Sequence, residues 1–125
     1  MLEGYSLNVA VGADTAVPFN NVTVEKGCTA TMPSPSSIAL NKCGVYMVSV
    51  DCTAATTATI QLFKDGVAQA QAQGTGATPG FVTLVQVDHN NSKCCCSSPT
   101  VISVKNTGDA TVTFDNINIV VTKVI

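Results

Sequence analysis

Apolar and polar residues alternate with a period of two along nearly the whole of this chain, and turn residues interrupt the alternation about every 8–12 positions. Successive side chains on an extended strand point to opposite faces, so this period belongs to strands with one buried face. "YSLNVAVG" (5–12) places Leu7, Val9 and Val11 on one face, and "VPFNNVTVEKG" (17–27) alternates Val22 and Val24 up to Gly27. "GVYMVSVDCTAA" (44–55) sets Val45, Met47, Ser49 and Asp51 against Tyr46, Val48, Val50 and Cys52. "TATIQLFKDG" (57–66) ends in Asp65-Gly66, a pair suited to the positive φ angles of a tight hairpin. "VAQAQAQG" (67–74) is its expected partner strand, since it is short, bounded by glycine and follows that turn. "FVTLVQVDH" (81–89) carries Phe81, Thr83, Val85 and Val87 on one face and Val82, Leu84 and Gln86 on the other. "PTVISVKNTG" (99–108) and "ATVTFDNINIVVTKVI" (110–125) complete the series. The last alternates Val112, Phe114 and Ile117 imperfectly, which predicts a bulge near Asp115-Asn116. "CTATMPSPSSIALNKCG" holds Pro33 and Pro35 and reads as a connection with one short strand, "SIAL".

A chain of 125 residues is expected to form one domain with a core of its own. Val and Thr recur, Trp is absent, and no long helix-forming run appears, so the fold class is an antiparallel all-β sandwich or barrel. Only 11% of residues are charged and the net charge is −2. Six Lys and Arg without a basic run exclude phosphate neutralisation as a function, so no nucleic-acid partner is expected. "MLEGYSLNVAVGAD" has no basic n-region and no apolar run approaches the ~18 residues of a membrane helix. The chain is therefore expected to fold in the cytosol of the cell that makes it, without membrane insertion, where thiols are kept reduced.

Three segments in order, "AVPFNNVTVEKG", "ALNKCGVYMVSVDCTA" and "ATIQLFKDGV", with the closing hairpin "VKNTGDATVTF", resemble the trimeric jelly rolls of the complement globular-head and tumour-necrosis-factor type. The resemblance is greatest to the forms found in phage fibre or decoration proteins and on spore-surface filament tips. It implies a jelly-roll sandwich of about 8–10 strands over residues 15–125. Residues 1–14 would be an N-terminal arm and first strand, able to act as an anchor. It also implies a homotrimer in which the sheet of strands A, C, F and H, here 5–11, 44–53, 81–89 and 110–124, faces the threefold axis. The interface candidates on those strands are Leu7, Val9, Val45, Met47, Val85, Val87, Phe114 and Ile119. The residues themselves point the same way. "GVYMVSV" and "FVTLVQV" are apolar on both faces, as strands buried on both sides are.

The resemblance also places the cysteines. Cys28 and Cys43 bracket the B–C connection, and Cys94, Cys95 and Cys96 lie in the F–G loop with His89, so five of the six should gather at one end. Cys52 should lie roughly 30 Å from Cys43 at strand rise, as a small buried hydrophobe. Three readings of the cluster stand open: free thiols, disulfides formed after release into an oxidising medium, and a metal held by thiolates with His89. The run "CCC" lacks the paired spacing of a zinc site.

No catalytic constellation is present in the sequence. A nucleophile among Cys94–Cys96 with His89 as base would lack an orienting group and an oxyanion hole. The expectation is thus a non-enzyme without cofactors: a trimeric capsid decoration or head-fibre knob on the exterior of a phage particle, assembled in the host cytoplasm and bound to capsid or other virion proteins. The alternative is an extracellular or spore-surface adhesin tip that binds a receptor or glycan. A carbohydrate-binding module would need exposed aromatics, and only Tyr5, Tyr46 and four Phe are available.

Overall fold

The computed structural model describes residues 1–87 and 99–125. They form eleven strands in two antiparallel sheets. The strands are β1 (Leu2–Val11), β2 (Thr15–Ala16), β3 (Asn21–Glu25), β4 (Ala30–Ser34), β5 (Ser37–Leu40), β6 (Gly44–Ala54), β7 (Ala58–Lys64), β8 (Val67–Gly76), β9 (Gly80–Val87), β10 (Thr100–Asn106) and β11 (Val112–Lys123). The first sheet has the order β3-β1-β11-β6-β9. The second has the order β4-β5-β10-β7-β8, with β2 added on β10. Strands far apart in sequence are therefore neighbours in space: β1 pairs with β11 from Leu2↔Val121 to Val11↔Val112. The N-terminal segment is an interior strand of a sheet, between β3 and β11.

The two sheets close on one apolar core. Tyr46, Val48 and Val50 of β6, Phe114, Ile117, Ile119 and Val121 of β11, and Val85 and Val87 of β9 line it from one side. Ile38, Leu40, Ile60, Leu62, Ile102 and Val104 line it from the other. Each is one face of a period-two strand, and the alternating burial of β10 shows the pattern without a break.

The inward phase changes once within the first sheet. Asn8 adopts φ of 50°, and on either side of it Ser6 and Val9 both turn toward the core. On β11 the same shift falls between Phe114 and Asn116, where the register with β6 slips, so the expected bulge is present. Leu7↔Asn116 and Val9↔Phe114 set the two irregularities opposite each other, and the β1–β11 ladder keeps its register through them.

The segment read as a connection contains β4, which includes Pro33. A proline is tolerated there because β4 is an edge strand, paired only with β5, and its register shifts between Thr31 and Ser34. β8 is a strand, not a helix, and it also lies at an edge. Gly74 follows from packing: a Cβ there would stand 2.8 Å from the Gly80 backbone nitrogen, where β8 passes the start of β9.

Candidate interaction face

The outer face of the first sheet is the surface that the sequence leaves unusually apolar. β6 presents Val45, Met47, Ser49 and Asp51 outward, and β9 presents Val82, Leu84 and Gln86. Registered neighbours run across three strands. Val120, Ser49 and Val82 form one row, and Thr122, Met47 and Leu84 form the next. Val82 is 67% exposed and Leu84 61%, against 3% for their inward neighbours Val85 and Val87. Leu7, 56% exposed, lies on the same face beyond the phase change.

Toward the far end the face becomes polar. Tyr5, Asn118 and Asp51 are registered across β1, β11 and β6. Glu3, registered with Val120 and so at the end of the first row, is held by two donors, Thr23 Oγ1 at 2.8 Å and Asn118 Nδ2 at 3.2 Å.

Of the eight expected interface residues, Leu7, Val45 and Met47 are on this face. Val85, Val87, Phe114 and Ile119 are not: each is at most 3% exposed and points into the sandwich. Val9 packs against the core as well. On β9 the phase is inverted relative to expectation, and the outward apolar residues are Val82 and Leu84, both visible in the sequence as the alternate face. Val120 was not among the candidates.

One end of the sandwich collects the chain ends and two cysteines. The Met1 amine donates to Lys26 O at 2.9 Å and Thr29 Oγ1 at 3.3 Å, and Val45 N donates to Ile125 O at 3.2 Å. Tyr46 Oη lies at the centre. It donates to Lys42 O at 2.8 Å, has Thr29 O in reach at 3.3 Å, and accepts from Lys42 N at 3.2 Å. Burial pushes this phenol above its ordinary range, and the backbone hydrogen bond at Lys42 opposes that. The hydroxyl thereby ties the turn after Cys28 to the turn before Cys43, and Asn41 Nδ2 adds a bond to Cys28 O at 3.0 Å.

Cys28 and Cys43 do gather at one pole, as expected, while His89, Cys94, Cys95 and Cys96 lie outside the described residues. Cys43 is disulfide-bonded, so the reading of free thiols throughout does not hold there, and it has no thiolate to offer a metal. Cys28 and Cys52 are free. Among the described residues no group of three or more His, Cys, Asp and Glu could hold a metal ion.

Cys52 is 6% exposed and donates from Sγ to Pro79 O at 3.0 Å. Burial, aided by the charge of Asp51, pushes its thiol up to about 12. At pH 8 it should stay a thiol and resist maleimide while exposed Cys28 labels within minutes; peptide mapping by mass spectrometry of the native protein reads both.

Solved structures of other proteins share this architecture. The globular domain of zebrafish complement 1qA superposes with a TM-score of 0.76 at 6% identity, covering 99% of this chain and 96% of its own. The Eiger TNF of S. frugiperda gives 0.69 at 12% identity, covering 99% and 92%. The vertex protein P5 of PRD1 gives 0.63 at 14% identity, covering 99% and 96%. No family model and no curated protein matches the sequence. The fold is a jelly roll of the complement-1q and tumour-necrosis-factor type.

Proposed function

We propose that this chain is a non-enzymatic structural protein that assembles as a homotrimer through the outer face of its first sheet and decorates the exterior of a phage particle, as a capsid decoration or head-fibre knob. The observation that carries the reading is the outward apolar band of Val82, Leu84, Met47 and Val120. Two large aliphatic side chains on adjacent outward positions of one edge strand, each more than 60% exposed, are costly to leave in water, and a contact with a neighbouring copy around a threefold axis removes them from it. The band continues across three strands, which suits a symmetric contact between copies. The likeness to a vertex protein supports a place on a particle. A structural role also accords with the described side chains, whose polar atoms tie strands and turns together rather than converge on an open site.

In this role the work is done by avidity. A trimer repeats every weak contact three times in one geometry, so a docking too feeble for one chain becomes persistent for three. Light scattering on a gel-filtration column should give about 38 kDa, three times the 12.8 kDa chain. A mass of one chain at micromolar concentration would refute the assembly. Immunolabelling of intact particles from the producing phage, with no label on the exterior, would refute the location.

A further inference from the structure

We propose that the pole carrying both chain ends is a cationic docking surface for an acidic protein segment. The sequence spreads its lysines singly, and the fold brings four of them to this end. Lys26 exchanges backbone hydrogen bonds with Met1. Lys42 is joined through its backbone to Tyr46 Oη, and Lys123 is registered with Tyr46. Lys64 Nζ donates to Gln86 O at 2.7 Å, and Gln86 is registered with Val45, the residue beside Tyr46. Two adjoining hollows of about 470 and 320 Å³ open here, and Lys123 and Ile125 line both.

The carboxylates are distributed the other way. Asp14 and Asp109 lie in turns at the opposite end, and Asp51 and Asp115 lie in the half of the sheet nearest it. Lys105, farther along β10, lays its ammonium over the Phe63 ring at 4.5 Å, next to Lys64 in sequence. At the cationic end the described side-chain carboxylates are Glu3, Glu25 and Asp65, one fewer than the lysines; Glu3 is held by Thr23 Oγ1 and Asn118 Nδ2, and Asp65 Oδ1 accepts from Val101 N at 3.0 Å. The charges of the two chain ends offset each other.

Distance keeps the two poles electrically independent. β6 runs most of the way between them with 11 residues, which at ~3.3 Å each is about 36 Å. The screening length at physiological salt is about 8 Å. A polyanion at the lysine pole therefore does not feel the carboxylates of the other, although the chain as a whole is negative. Lys123 at the hollows and three further lysines on flexible stems at the same end suit carboxylate side chains arriving from several directions. The surface is present on a single chain and does not depend on the trimer reading; a trimer would repeat it three times.

The test is chromatography of the full chain on immobilised poly-L-glutamate at ~50 mM NaCl, followed by a salt gradient. A protein of net charge −2 is expected to be retained and to elute by about 0.3 M. The double variant Lys26→Glu, Lys42→Glu, at two exposed positions, should pass unretained with its melting temperature kept. Asp109→Lys with Asp115→Lys, which adds cations at the far end, should not strengthen retention. Flow-through of the parent protein, or undiminished retention of the Lys26/Lys42 variant, would overturn the proposal. So would binding to heparin or to DNA with none to poly-L-glutamate, because the partner would then not be an acidic protein.

Discussion

Val82→Asp together with Leu84→Asp is expected to turn the proposed trimer into a monomer, with the apparent mass falling from about 38 kDa to the 12.8 kDa of one chain. Both side chains leave the sandwich, so the variant should fold and melt as a single chain does. In the assembly six carboxylates would be buried against apolar neighbours, each costing several kcal/mol of desolvation without a cationic partner. The contrast is Val85→Asp, one residue along on the same strand. Its side chain is 3% exposed inside the core, and that change should prevent folding rather than assembly. A Val82→Asp, Leu84→Asp protein that still scattered as three chains would show that the copies meet through some other surface.

The second large effect concerns Asn106, which is fully buried at the end of β10. Its Nδ2 donates to Val11 O and Ala110 O, each at 3.0 Å, with Gly12 O at 3.4 Å, and its Oδ1 accepts from Gly108 N at 3.0 Å. One side chain thus satisfies the backbone where β1 ends and where the chain turns from β10 to β11. Asn106→Ala would leave two carbonyls and an amide without partners at about 1–3 kcal/mol each. A total loss on the order of 3–5 kcal/mol is expected by urea titration, a large share of the ~5–15 kcal/mol of a typical domain. Asn106→Asp keeps the acceptor for Gly108 N but sets an oxygen against the Val11 and Ala110 carbonyls. The buried carboxyl would then titrate above its unfolded value, so the folded state would hold its proton longer than the unfolded state. Its stability deficit should therefore shrink as pH falls through the raised folded value toward about 4, below which both states are protonated, and grow as pH rises above about 4. A deficit that did not change with pH would mean that the side chain reaches water.

Much of the fold was legible because the period of two is a direct image of the pleat. The Asp65-Gly66 hairpin, the bulge at Asp115-Asn116 and the pairing of β7 with β8 follow from local chemistry alone. What the period does not carry is its phase. β9 is apolar on both faces, and a shift of one residue exchanges them; only registration with β6 decides that Val85 faces Tyr46 in the core while Leu84 faces outward beside Met47. That is why Val85 and Val87 belong to the interior rather than to the expected interface. Asn106 resembled an ordinary turn residue in "KNTGDA", because its value lies in contacts with residues up to 95 positions away. The lysine pole was hidden for the same reason. No two lysines are near each other in sequence, and the jelly-roll crossings alone make them neighbours. β4 was passed over on account of Pro33, and edge position is a property of the sheet rather than of the segment.

Met1 and Ile125 border the same hollow, so the backbone is nearly a closed loop. A short peptide between them would join the ends without crossing the sandwich. The loop could then be cut at exposed Ala77-Thr78, where β8 passes to β9 at the opposite pole. Such a circular permutant would keep every strand in place and exchange which end of the barrel is tethered. Anything fused to it would then emerge from the acidic side, leaving the lysine side clear.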